Sequence, residues 1–162
     1  MSSAEERLPQ LASIFCQVGH HQKYPWIPLP WKGVYNKVLY FDPITGATME
    51  LARVERGCSF PAHYHTTVQT LFLISGRLRD ESGSVTEPGT FRIIPAGQLH
   101  GPFTAEEEAI QYKYFSSVPV YILKDGTTYI YQFNGKTTHA GKLEFAESLK
   151  DLNFISQHHY RT

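Results

Sequence analysis

The sequence predicts an all-β fold, a sandwich, jelly roll or barrel of eight or so short strands. Two observations carry that expectation. From Val34 onward, runs of β-branched and aromatic residues recur about every ten residues and are cut by Gly, Pro and Asp. One of the cuts is Asn134-Gly135, a strong signal for a tight hairpin turn. Length then bounds the size: 162 residues make one domain, long enough to bury a real core.

In chain order, Ser3 with Glu6 three residues later suggests a capped short helix, although Pro9 would fall inside it. Residues 24–31, YPWIPLPW, predict an extended arm on the domain surface, because proline disfavours helix both at its own position and before it. Strands are expected over Val34–Phe41, closed by the turn Asp42-Pro43-Ile44-Thr45-Gly46, and over Thr48–Arg56, closed by Gly57. His63–Ile74 follows and ends at Ser75-Gly76; Arg77–Arg79 runs to a loop at Asp80–Ser84, and Thr90–Ile94 runs to Pro95. Ile110–Phe115, Val120–Leu123 and Thr128–Phe133 complete the set, and Leu143–Leu152 reads as one short helix. The organisation expected is an arm over 1–32, a barrel over 33–135 and an extension over 136–162.

Charge excludes some functions. Fifteen basic residues balance fifteen acidic ones, with no Lys/Arg run, so a strongly basic nucleic-acid binder is ruled out. No apolar stretch approaches the ~20 residues of a membrane helix, and MSSAEERLPQ is too polar for a signal peptide. Two cysteines, Cys16 and Cys58, are not a disulfide framework. A soluble, cytoplasmic protein is expected.

The chemistry-bearing residues are histidines. His63 and His65 stand two apart in PAHYHTTVQTLFLI, so on a strand His63, His65, Thr67, Gln69, Leu71 and Leu73 share one face. Two neutral imidazoles about 7 Å apart on one face can converge on a single transition-metal ion, and Gln69 can offer an oxygen beside them.

Read outward, the segment is Gly57-x5-His63-x-His65-x3-Gln69-x6-Gly76, followed by Gly89-x5-Pro95-x-Gly97-x2-His100. These strings resemble the paired motifs of the cupin family, G-x5-H-x-H-x3-E-x6-G and G-x5-P-x-G-x2-H-x3-N. Gln69 replaces the glutamate and Thr104 the asparagine. The resemblance implies a cupin-type double-stranded β-helix, a jelly-roll barrel, holding one divalent metal ion per chain on His63, His65 and His100, with Gln69 in or beside the ligand shell. A neutral shell leaves a divalent ion with its full charge, which favours an anionic substrate such as an enolate.

Residues 33–65, together with GRLRDESG, EPGTFRIIPAGQLHGP and VPVYILKDG, are similar to a cupin group that includes the ChrR anti-sigma-factor domain. The group also includes the 2,4'-dihydroxyacetophenone and acetylacetone-cleaving dioxygenases. Likeness to these enzymes implies Fe2+ on the three histidines and a small carbonyl substrate, a 1,3-diketone or α-hydroxyketone, chelated as its enolate. O2 would cleave a C–C bond of that substrate. The alternatives are a Zn2+-, Mn2+- or Ni2+-dependent isomerase, lyase or hydrolase, or a non-enzymatic metal-binding or sensor module. Cupins are often dimers, and arms flanking a small barrel can pair edge strands, so a homodimer or dimer of dimers is expected.

Other residues carry less. Cys58 is expected as a small buried or half-buried residue, and His20, His21, His139, His158 and His159 as solvated surface. On the strand after the second motif, alternation sends either Tyr112 and Tyr114 or Gln111, Lys113 and Phe115 inward, and the sequence does not say which. Arg79, two residues past Arg77, reads as a solvated edge charge.

Overall fold

The computed structural model describes residues 19–131 and 137–142, in which every regular element except a 3-10 turn at His21–Lys23 is a β-strand. The strands are β1 (Ile27–Pro28), β2 (Val34–Phe41), β3 (Thr48–Val54), β4 (Ser59–Phe60), β5 (His63–Tyr64) and β6 (Gln69–Asp80). They continue with β7 (Val85–Thr86), β8 (Phe91–Ile94), β9 (Phe103–Phe115), β10 (Val120–Leu123), β11 (Thr127–Tyr131) and β12 (Thr137–Lys142). Among these residues no helix is long and apolar enough to cross a membrane.

Two antiparallel sheets face each other, as a jelly roll requires. One runs β1-β2-β3-β9-β6-β7, with β4 also on β9 and β8 on β6; the other runs β12-β11-β10-β5. Alternation explains the layer between them. Thr48, Glu50, Ala52 and Val54 of β3 are buried while their neighbours are only half-buried, and Ala105, Ala109, Gln111, Lys113 and Phe115 line the inner face of β9. Leu29, Val34, Val54, Phe60, Leu73 and Leu78 from the first sheet meet Tyr121 and Tyr131 from the second in one core. The open question on β9 is thereby decided: Gln111, Lys113 and Phe115 point in, and Tyr114 points to solvent.

Val34–Phe41 and Val120–Leu123 fall where expected. His63–Ile74 does not form one strand. It splits into β5, paired with β10 in the second sheet, and β6, paired with β9 in the first. The crossing residues satisfy their backbone elsewhere, His65 O accepting from Gly97 N at 2.8 Å and Val68 O from Ser116 N at 3.2 Å. Parity survives the crossing: His63, His65, Thr67, Gln69, Leu71 and Leu73 are all buried.

Gly76 does not end a strand either. β6 continues to Asp80 through register slips opposite β9 around Ser75. Gly76 has φ +81°, and a Cβ there would lie 2.1 Å from the Glu108 carbonyl oxygen, so the bulge needs a residue without a side chain.

The proline-rich arm is extended along the surface, with Tyr24, Pro25, Pro28 and Pro30 exposed, and is tied to the sheets. Ile27 and Pro28 pair with Asn36 and Tyr35, Leu29 is buried, and Trp31 packs against Phe60, Tyr121 and Tyr129. Strands before residue 33 and after residue 135 therefore belong to the sheets. The Asn134-Gly135 turn lies outside the described residues, although its flanks, Tyr131 and Thr137, are antiparallel partners. The Ser3–Glu6 cap, Cys16, the Leu143–Leu152 helix and His158 and His159 also lie outside them.

Candidate metal centre

His63 enters the site on β5, where it forms an isolated antiparallel bridge with His100, each backbone N–H donating to the other's carbonyl at 3.0 and 3.1 Å. His65 follows in the crossing segment. Two distant stretches of chain therefore place three imidazoles side by side, and one nitrogen from each lies within 4.8 Å of the others.

Backbone carbonyls set their orientation. The Nδ1 atom of His63 lies 2.7 Å from Pro61 O, that of His65 2.9 Å from Val120 O, and that of His100 3.0 Å from Gln98 O. A carbonyl only accepts, so each Nδ1 carries the proton and donates it, leaving each Nε2 with a bare lone pair. Those of His63 and His65 stand 3.0 Å apart, and that of His100 is buried without a partner. Burial, reinforced by the mutual repulsion of the rings, holds His63 and His65 well below the ordinary imidazole range; burial brings His100 down to about 4. At neutral pH the three are neutral donors.

That donor set fits a metal ion. Two lone pairs facing each other at 3.0 Å repel, and a cation held by both would turn the repulsion into ligation. The Nδ1–H···O=C contacts are the kind of outer hydrogen bond that orients histidine ligands. Gln69 is fully buried, and its Oε1 has no hydrogen-bond partner. Phe60, Phe115 and Tyr121 pack their rings against His63 and His65 and keep water from the protein side.

A cavity opens on the cluster. His63, His100, Gln69, Gln111 and Lys113 form its polar wall, and Val54, Phe60, Leu71 and Phe103 its apolar one. Behind Lys113 lies a group of residues that sequence reasoning missed. Glu50 is fully buried with both carboxylate oxygens lacking a hydrogen bond, 4.0 Å from Lys113 Nζ. Burial pushes its carboxyl up to about 7 against the opposing pull of Lys113. Asn36, Tyr121 and Tyr131 complete the buried polar set, with Asn36 Nδ2 donating to Tyr121 Oη at 3.3 Å. The signal for Glu50 was its parity with Ala52 and Val54, since an acid in phase with small apolar residues faces inward with them.

The residues set aside from the sequence stay outside the site. His20, His21 and His139 are exposed, and the first two stack on each other. Cys58 is half-buried under Gly33, and Arg79 is an edge residue bound to Glu106 and Gly83 O. Thr104, where the cupin motif has asparagine, is exposed on β9 and shares a hydrogen bond with Ser59, so it does not reach the cluster.

Residues 16–117 match the family model described as the ChrR cupin-like domain. No curated protein matches by sequence. Among solved structures, the acetylacetone dioxygenase of Acinetobacter johnsonii superposes with TM-score 0.54 at 20% identity, over 84% of this chain and 91% of that one. An RmlC-like cupin of Ralstonia eutropha gives 0.57 at 19%, over 89% and 90%. Ectoine synthase from P. lautus gives 0.51 at 15%, over 63% and 78%. Likeness at these identities establishes the jelly-roll fold, and proteins of different activity share it.

Proposed function

Because the chain belongs to the ChrR-like cupin family, we propose that it is an Fe(II)-dependent dioxygenase that cleaves a C–C bond of a small carbonyl compound held as its enolate. The observation that carries this reading is the convergence of three neutral, backbone-oriented imidazoles on the floor of a small cavity. The substrates to expect are enolisable 1,3-dicarbonyls or α-hydroxyketones. An ion held by His63, His65 and His100 would supply Lewis acidity and, as Fe(II), the redox chemistry that O2 requires.

The chain's own residues do the rest. Three carbonyls keep the imidazoles in one tautomer, so no proton shift is needed to present a lone pair. Phe60, Phe115 and Tyr121 make the floor dry, which strengthens every charge interaction within it. Gln69 leaves the shell uncharged, so an enolate brings the first negative charge to the ligand sphere and is favoured over a neutral ketone.

Metal content per chain, followed by O2 uptake with 1,3-diketones and hydroxyacetophenones, tests the proposal. About one iron per chain and substrate-dependent O2 consumption support it. O2 uptake that is absent from fully iron-loaded protein with every enolisable substrate sinks it. A neutral three-histidine set also suits Zn2+, Ni2+ or Mn2+ as a pure Lewis acid, and turnover without O2 would establish that class instead.

A further inference from the structure

Lys113 is a buried cation whose donors are unused. Alternation brings it inward on β9, where register sets it between Glu50 of β3 and Leu71 of β6. Its ammonium makes no hydrogen bond with the described residues; Glu50 Oε1 is 4.0 Å away and the Phe60 ring centre 4.7 Å away. At that distance Glu50 offsets charge but accepts no hydrogen bond. A desolvated ammonium has three N–H donors, and leaving them unpaired is costly. They open into the same cavity as His63 and His100, whose wall also carries the buried side-chain amide of Gln111.

The ligand class follows from that wall. A neutral diketone whose two oxygens face the histidines offers Lys113 only the remaining lone pairs of those oxygens and no charge to complement its own. A carboxylate on the same molecule accepts from Lys113 and from Gln111, and its charge complements the ammonium. Resting on the enolate reading above, we propose that Lys113 is the carboxylate-binding group of this site and that the substrate is an enolisable oxo acid anion rather than a neutral diketone.

The test compares 2,4-dioxopentanoate with its methyl ester, which keeps the 1,3-dicarbonyl and removes the charge. Both are titrated calorimetrically, without O2, into the metal-loaded protein. The acid is expected to bind at least about tenfold tighter than the ester, the scale of one charge-assisted hydrogen bond. Removing Lys113 alone would leave Glu50 buried without its counter-charge, so the variant is the neutral pair Glu50→Gln/Lys113→Met. It is expected to weaken the acid about 10- to 100-fold and the ester less than about threefold, at unchanged metal content. Equal binding of acid and ester by the native protein overturns the proposal, as does equal weakening of both in the variant. A borohydride-trapped adduct on Lys113 also overturns it, by making the amine a nucleophile. O2 uptake is read separately: an acid preference that needs Lys113, without cleavage, would refute the oxygenase and leave the carboxylate site standing.

Discussion

The Nε2 atoms of His63 and His65 stand 3.0 Å apart although each ring already donates its Nδ1 proton to a carbonyl, so two lone pairs face each other in a dry pocket. Lone pairs at that distance repel, a cation between them would relieve the contact, and the Pro61 and Val120 carbonyls hold either ring from turning away. Metal affinity should therefore be steep in each histidine. His63→Ala, His65→Ala and His100→Ala are each expected to lower bound metal at least about tenfold while the circular dichroism of the barrel is retained. Mass-spectrometric metal content after dialysis against a weak chelator measures it. Native metal content in all three variants would mean that the cluster is only a cavity lining.

Removing the metal should cost stability by simple linkage. A free ion at a hundredfold above its dissociation constant stabilises the folded state by about 2.7 kcal/mol, so the apo protein should melt several degrees lower. The His100→Ala variant should show no such dependence. A melting temperature indifferent to added Fe(II), Zn(II) and Mn(II) in the native protein contradicts the site.

Gln69 is expected to set the charge of the centre. Its Oε1 is buried without a partner, so the nearly isosteric Gln69→Glu places a carboxylate where an ion would otherwise be its nearest counter-charge. Divalent-ion affinity should rise at least about tenfold, and binding of an enolate-forming ligand should weaken by a similar factor. Competition with a chromogenic chelator reads the first and anaerobic titration the second. Unchanged values in both would place Gln69 away from the ion.

Glu50 should leave a mark on the pH dependence of folding. Burial raises its folded carboxyl to about 7 from the ordinary 4.5, so between those values the folded state retains a proton that the unfolded chain has lost. Stability from this group falls as pH rises through the window and levels off above it, by up to about 3 kcal/mol in all. Glu50→Gln lacks the effect, so its stability relative to the native protein should grow from pH 4.5 to 7. Urea unfolding at intervals of half a pH unit decides it, and a difference that shrinks or stays flat would show that Lys113 keeps the carboxylate charged throughout.

Two glycines with positive φ should respond very differently to alanine. At Gly76 the new Cβ would meet the Glu108 carbonyl oxygen at 2.1 Å, so β6 and β9 would have to part. Gly89 has nothing within 4 Å, leaving only the left-handed backbone penalty of about 1–2 kcal/mol. Gly89→Ala should fold with a modestly lowered urea midpoint, and Gly76→Ala should lose most of its stability. Similar losses at the two sites would mean that the bulge can relax.

Much of the molecule was legible in one dimension. The period of two placed His63, His65, Gln69, Leu71 and Leu73 on one face, and that parity holds even where the chain passes from one sheet to the other between Tyr64 and Gln69. Apart from Gly76, which sits in a bulge within β6, glycine and proline marked chain reversals because their allowed backbone angles are local properties. Val34–Phe41 and Val120–Leu123 emerged with the expected ends because apolar alternation and a following turn residue coincide there.

What the sequence by itself determined was spacing, parity and donor type, all properties of neighbours along the chain. Sign was not among them. Alternation says that Lys113 and Tyr114 point opposite ways, but either choice buries hydrogen-bonding groups, and only the register of β9 against β3 and β6 turned Gln111 and Lys113 inward. Tertiary structure alone also supplied Val120 O for His65, brought His100 against His63 across more than thirty residues, and set Glu50 behind Lys113. Those relationships are distances through space between strands far apart in sequence, fixed by how two twisted sheets close on each other. No local pattern encodes them.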